Sequence, residues 1–321
     1  MTTLADVARL ANVSKMTVSR VINHPEQVTQ ELRTLVTAAM EELNYKPNVA
    51  AKALAQQRTL IVQAVILEKM DVVEPYYIDL LAGIADELNH RNYTLQLVTN
   101  PSQITDQCDG YIVTGARKDD YPWLKGLRKP LILFGENQEG LPFVDSDNRL
   151  ATRSATQFAL SKGYERIVFV GIDLPEAFEK GREEGYKDAM QGRETHLYRL
   201  ENRSRVAEEF VKNLDYLPEN TCFICASDRL ALGVTRGLQA LGKSIPNDVG
   251  VIGFDGFFLD RMSRPALTTM KQPIRQMGAL SVKHLMTILD GKPLARQGHY
   301  CQATLIERET TPCQAPDKMD S

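Results

Sequence analysis

Between Thr3 and Asn23 the sequence reads TLADVARLANVSKMTVSRVIN, two short blocks of helical apolar spacing with room between them for only a tight turn. Leu4, Val7, Ala8 and Ala11 make one apolar face, and Val18, Val21 and Ile22 make a second. Thr3 with Asp6 suits a helix start, because a hydroxyl can accept an orphan backbone N–H while a carboxylate favours the positive helix end. Asn12 tolerates the left-handed backbone that an interhelix turn needs, and Ser14 is placed to cap the next helix. A third amphipathic block, from about Thr29 to Asn44, turns Leu32, Leu35, Val36, Ala39, Met40 and Leu43 inward. Helices this short cannot bury a face alone, so the three are expected to share one small core.

That core leaves Lys15, Met16, Thr17, Ser19 and Arg20 on the outside of the second helix. Donors and a soft apolar group leading a helix are what a major-groove recognition helix needs, with base edges met first and phosphates held beside them. The same pattern fits the solvated face of an ordinary three-helix bundle. Charge permits the first reading: the chain is −3 overall, but its first sixty residues hold seven Lys/Arg against five Asp/Glu. Tyr45-Lys46-Pro47-Asn48 then stops the third helix, and Asn48 can cap a short helix through Ala55, rich in alanine with one bulky apolar residue, Leu54. Six or seven residues are too few to be helical alone. A DNA minor groove can order them, small residues permitting close approach and Leu54 wedging between base pairs; a connecting helix packed on the next domain is the alternative.

The run Thr3–Asn23, with Glu42-Leu-Asn-Tyr-Lys-Pro-Asn48 and Ala53-Leu-Ala55, resembles the headpiece and hinge of the lactose/galactose repressor family almost position by position. The resemblance implies that Lys15, Met16 and Arg20 read bases, that Thr17, Ser19, Asn23 and Tyr45 contact phosphates, and that Asn48, Ala51 and Leu54 form the minor-groove hinge. Asn12 stands where the family usually has glycine. A double-stranded, pseudo-palindromic operator with a central CG step is the implied DNA partner, bound by a homodimer.

Beyond residue 60, apolar strand-like runs at 61–67, 95–98, 110–113, 131–134, 166–171, 222–225 and 249–253 alternate for the most part with helical patterns such as 77–91, the rhythm of parallel βαβ units. Two open α/β subdomains follow, with ligand expected beyond the carboxyl ends of the strands. The resemblance continues in Asp145-Ser-Asp-Asn148, Gly163-Tyr-Glu-Arg-Ile167, Arg182-Glu-Glu-Gly-Tyr186, Ala226-Ser-Asp-Arg-Leu-Ala-Leu-Gly233, Gly253-Phe-Asp255 and Leu267-Thr-Thr-Met-Lys-Gln272. It implies an all-α helix-turn-helix headpiece and hinge helix joined to a core of two doubly wound subdomains, like the type I periplasmic binding proteins, with crossings near residues 146, 272 and 298. The expected division is 1–45 headpiece, 46–59 hinge and linker, 60–146 plus 272–297 first subdomain, 147–271 plus 298–312 second subdomain, and 313–321 disordered tail.

Carried over from the family, the effector positions are Arg182, Ser227, Asp228, Asp255 and Gln272, with Tyr76, Tyr77 and Glu136 as first-subdomain candidates. Arg182 and Asp255 suit a diol, since a planar donor fork and an anionic acceptor satisfy both of its sides. A sugar or sugar derivative is the implied effector, with no cofactor. Asp228 can equally cap the helix that starts at Arg229, and the tyrosines can be subdomain core. Four departures stand out: a loop or single turn between Asn100 and Asp109 where the family has a helix, a lean region from Gln191 to Glu219, Ser227 in place of the usual asparagine, and Gly135-Glu136 where an effector contact often lies.

Other functions are expected to be absent. Gly237-Leu-Gln-Ala-Leu-Gly-Lys-Ser244 spells a P-loop, but a helical pattern precedes it and a strand follows, the reverse of the strand-loop-helix that cradles phosphate. Cys222 and Cys225 form C-x-x-C inside an apolar run without a second pair for zinc, and the five histidines make no ligand-spaced pair. No catalytic constellation and no metal site are predicted. The start carries no signal-peptide pattern and no apolar run reaches membrane-spanning length, so a cytoplasmic protein without membrane association is expected. The tail has no leucine heptads, which argues for a dimer over a tail-built tetramer. Release from the operator on effector binding is the implied switch, an order–disorder transition of the hinge, although some members of the family need a corepressor instead.

Overall fold

The computed structural model describes residues 2–23, 27–45, 53, 57–68 and 75–311, and the chain divides into two compact units, 1–60 and 61–321. The expected hinge residues Asn48, Ala51 and Leu54, and the expected tail 313–321, lie outside the described residues.

The first unit holds α1 (Leu4–Leu10), α2 (Lys15–Asn23) and α3 (Gln30–Glu42). Asp6 accepts hydrogen bonds from both the backbone N–H and the hydroxyl of Thr3, at 2.9 and 2.7 Å, fixing the start of α1. Asn12 has φ of 50°, so the turn into α2 is left-handed, and the Ser14 hydroxyl then accepts from Thr17 N–H at 3.0 Å. Val7, Ala8, Ala11, Val18, Val21, Val36 and Ala39 form the core. Leu35, expected inward, is 48% exposed: the three short helices close around Val36 and Ala39 and leave no space behind them.

The second unit contains two six-stranded sheets. The first is built from β1 (Ile61–Ile66), β2 (Thr94–Val98), β3 (Gly110–Thr114), β4 (Leu131–Phe134), β5 (Phe143–Ser146) and β11 (Gly298–Cys301), in the order β11-β5-β4-β3-β1-β2 with every pair parallel. The second is built from β6 (Arg166–Ile172), β7 (His196–Leu200), β8 (Thr221–Cys225), β9 (Val249–Asp255), β10 (Thr268–Lys271) and β12 (Thr304–Ile306), in the order β12-β10-β9-β8-β6-β7. Only the β10–β12 pair is antiparallel among these. β3, β4 and β8 are buried along their whole length, as strands covered on both faces must be. Each fully buried Val, Leu, Ile or Phe there contributes about 1.5–3 kcal/mol.

Helices flank both sheets: α4 (Pro75–Asn89), α5 (Tyr121–Lys125), α6 (Asn148–Ser161), α7 (Ala177–Ala189), α8 (Ser204–Lys212), α9 (Asp228–Ala240), α10 (Leu259–Met262) and α11 (Ile274–Leu289). Glycine sets the closest approaches. A Cβ at Gly83 would stand 2.0 Å from the Arg275 carbonyl oxygen, and one at Gly185 2.1 Å from that of Arg149, so α4–α11 and α6–α7 pack backbone to backbone.

The chain passes from the first sheet to the second after Ser146, returns after Lys271, and leaves again between Cys301 and Thr304. The last passage was expected near residue 298. It falls later because Gly298–Cys301 pairs with Phe143–Ser146 as an edge strand of the first sheet. Between Asn100 and Asp109 there is one 3-10 turn, Pro101–Gln103, and no α-helix. The P-loop-like run is the end of α9 and its exit: Leu241 closes the helix and Gly242 follows at φ +71°, which fits a helix C-terminus and not a phosphate cradle. Cys222 and Cys225 are buried in the second sheet's core.

Candidate functional site

On the first unit, packing of Val18, Val21 and Ile22 against the core turns the opposite face of α2 outward. Lys15, Met16 and Arg20 are exposed, Met16 by 66% of its surface. Thr17 and Ser19 are half-buried, and Thr17 is tied through its hydroxyl to Ser14 Oγ at 2.9 Å. Tyr45 packs partly against the headpiece core beside Leu43, and Asn23 ends α2. The three expected base-reading residues therefore share one exposed helical surface, the property a groove-entering helix needs.

On the second unit, both sheets have the doubly wound order, with the strand sequence reversing between β1 and β3 in one and β6 and β8 in the other. Loops diverge beyond the carboxyl ends of such strands and leave a crevice. A cavity of about 950 Å³ occupies that place, between the two sheets. Of the eight expected effector residues, Tyr76, Tyr77, Glu136, Arg182, Ser227, Asp255 and Gln272 line it.

Asp228 does not. It is buried, accepts from Gly256 N–H at 2.9 Å and from the Thr269 hydroxyl at 2.6 Å, and so ties α9 to strands β9 and β10. Burial, with Asp255 nearby, pushes its carboxyl well above the usual range. Nor does it cap α9; Ser227 does, accepting from Leu230 N–H at 3.1 Å while donating to Asn202 Oδ1 at 2.7 Å.

Arg182 projects from α7 with its guanidinium over the Phe254 ring at 3.8 Å. Its Nε donates to Asn148 Oδ1 at 2.9 Å and its Nη1 to the Ala226 carbonyl at 2.5 Å, leaving Nη2 without a hydrogen bond among the described residues. Gln272 bridges the sheets, accepting from the Ser146 hydroxyl at 2.6 Å and donating to Asp255 Oδ1 at 2.9 Å. Asp255 has φ of 116°, a conformation rare for any residue but glycine, and the Gln272 N–H holds its carbonyl at 3.0 Å. Tyr76 meets Phe134 from its own subdomain and Phe257 from the other, each with centroids 5.9 Å apart.

Several lining residues were not anticipated. Asp145, inside the quoted signature Asp145–Asn148, is buried and accepts from Glu136 N–H at 2.8 Å. Desolvation, only partly offset by hydrogen bonds from Glu136 and Ser146, raises its carboxyl to about 6. Arg117 joins Glu68 of its own subdomain at 2.7 Å to Glu176 of the other at 2.9 Å. Glu68 also accepts from the Tyr77 hydroxyl at 2.6 Å. A usable signal existed: Glu68 and Arg117 follow strands β1 and β3 by two and three residues, at the carboxyl ends where such folds bind ligands.

Comparison with known proteins accords with both units. Residues 3–48 match the family profile of bacterial regulatory proteins, lacI family, and residues 156–311 match a periplasmic binding protein-like domain. The chain is 49% identical over 318 residues to an uncharacterized HTH-type transcriptional regulator, YvdE, of Bacillus subtilis (strain 168), covering 97% of this chain and 100% of the relative. The protein belongs to the LacI family. As a LacI-family member it is a DNA-binding transcriptional regulator and not an enzyme. It is also 29% identical to a ribose operon repressor of Halalkalibacterium halodurans, over 97% of each chain. Among solved structures, the transcriptional regulator CelR in complex with cellobiose superposes with a TM-score of 0.70 at 27% identity, covering 97% of this LacI-family chain and 100% of that one. Among the described residues, no helix is long and apolar enough to cross a membrane.

Proposed function

We propose that this regulator represses a carbohydrate-utilisation operon and leaves a pseudo-palindromic operator when a sugar-like effector binds between the core subdomains. The observation that carries the reading is the cavity between the sheets, where a stacked arginine with an unused N–H, carboxylates and aromatic rings converge as a polyol requires. The sugar named with the CelR relative and the ribose operon named with another support that effector class. A homodimer sets two copies of α2 into successive major grooves, Lys15, Met16 and Arg20 meeting bases while Thr17, Ser19, Asn23 and Tyr45 meet phosphates. Asn48, Ala51 and Leu54 form the minor-groove hinge, with Leu54 as the wedge. Effector binding rotates the first subdomains of the dimer, separates the hinge segments and melts them.

The test is fluorescence anisotropy of a labelled palindromic operator with the full chain, titrated with a panel of sugars. Expected is saturable release by one of them. An operator complex that no sugar weakens, or that a sugar strengthens, refutes the inducer reading.

A further inference from the structure

The cleft's lining narrows the effector class, on the reading that this cavity is the effector site. Its volume of about 950 Å³ lies at the upper end of the roughly 300–1,000 Å³ usual for small-molecule clefts. This is not a splayed cleft, because its walls already meet at Arg117–Glu176 and at Tyr76–Phe257. One pyranose ring leaves most of that space empty.

Aromatic groups line more than one part of the wall. Tyr76, with Phe134 and Phe257, has Asp145, Glu68 and Asp255 as charged neighbours. Tyr121 lies near Glu176, Glu139, Asp120 and Arg117, and Phe178 carries the Arg182 guanidinium over its ring at 5.0 Å. Each of these rings offers an apolar face beside polar groups, the surroundings that a sugar ring uses.

The charge pattern turns anions away. Six carboxylates and four cations line the cavity. Of the cations, Lys118 and Lys180 are exposed at the rim, and Arg117 is neutralised by Glu68 and Glu176. Arg182 spends two of its donors on Asn148 and Ala226. Glu176 stands at the N-cap position of α7, its side chain making no capping hydrogen bond and pairing with Arg117 instead. A phosphate entering this cleft would meet carboxylates, with Arg117 already paired and the two lysines only at the exposed rim.

We infer that the effector is an uncharged carbohydrate of at least two rings, and that Glu68 and Glu176, by neutralising Arg117, exclude sugar phosphates. The experiment is calorimetric titration of the full chain with maltose, cellobiose and maltotriose against glucose, ribose, glucose 6-phosphate and trehalose 6-phosphate, paired with operator release. Expected is binding of one neutral di- or trisaccharide at least about tenfold tighter than any monosaccharide or phosphorylated sugar. Glu176→Gln should narrow the gap between trehalose 6-phosphate and the neutral sugars by several-fold, with the melting transition retained. A monosaccharide or sugar phosphate as the tightest ligand, or no response to any neutral oligosaccharide, overturns the inference. An unchanged gap in the Glu176→Gln variant overturns the role given to Glu176. A sugar phosphate that binds tightly and releases the operator defeats this inference and leaves the proposed function standing. A neutral disaccharide that binds tightly without releasing DNA does the opposite.

Discussion

Arg182 works from beneath the cleft, pinned between a ring face and a carbonyl. Arg182→Ala is expected to abolish the effector response in the anisotropy assay while changing operator affinity by less than about twofold. It should also cost about 1–3 kcal/mol in a denaturant melt, because Asn148 Oδ1 and the Ala226 carbonyl lose a donor. Glu179, a turn away on α7, is buried with one carboxylate oxygen unpartnered among the described residues, and desolvation raises its carboxyl to about 7 from 4.5. The folded state therefore holds this proton more tightly than the unfolded chain. Stability from this group is greatest below pH 4.5 and falls as pH rises towards 7, by up to about 3 kcal/mol. Glu179→Gln keeps an acceptor for the Ile172 N–H and removes that fall; melting curves of the two proteins that stay parallel from pH 4.5 to 8 would refute the assignment. At this scale the sequence was legible as placement, since Arg182 and Asp255 both line the cavity. It misled at Asp228, because an acidic residue at a strand-to-helix junction can face the ligand, cap the helix or tie neighbouring strands, and only three-dimensional packing chooses.

Elements were read best where their periodicity was strong. β4 matches its expected bounds, and α1 to α3 lie within a residue or two of theirs. β7 and β11 are edge strands with exposed polar faces, so their sequences carry no apolar alternation to read. The turn between α1 and α2 sets the pose of the proposed DNA-reading surface, and Ser14 holds that turn through Thr17. Ser14→Ala should destabilise the headpiece by about 1 kcal/mol and weaken operator binding in parallel. Thermal melts of the headpiece transition with and without the substitution check it. Leu54 is the proposed minor-groove wedge, and Leu54→Ala is expected to weaken operator binding by at least about tenfold while leaving the melting temperature of the chain in place. Equal binding by the two proteins would remove the wedge.

For the whole molecule, the proposed operator recognition by a dimer makes affinity depend on two half-sites at once. Scrambling one half of a palindromic operator should cost about 100-fold or more in affinity, and sedimentation should give a dimer without a tetramer. The core's passages of chain bear on what such a dimer can be told. Ser146 to Gln272 and Asp147 N–H to the Cys301 carbonyl, at 2.6 and 2.8 Å, keep the three connections side by side. On the proposed switch, two subdomains joined by three adjacent connections keep one inexpensive coordinate, a swing about those connections, since sliding or twisting would stretch covalent chain. Under that proposal, whatever a ligand touches inside the cleft is translated into one number, an opening angle. Its chemical identity is lost before the message leaves the core, so the pocket can be rebuilt for a new molecule while the output it drives stays the same.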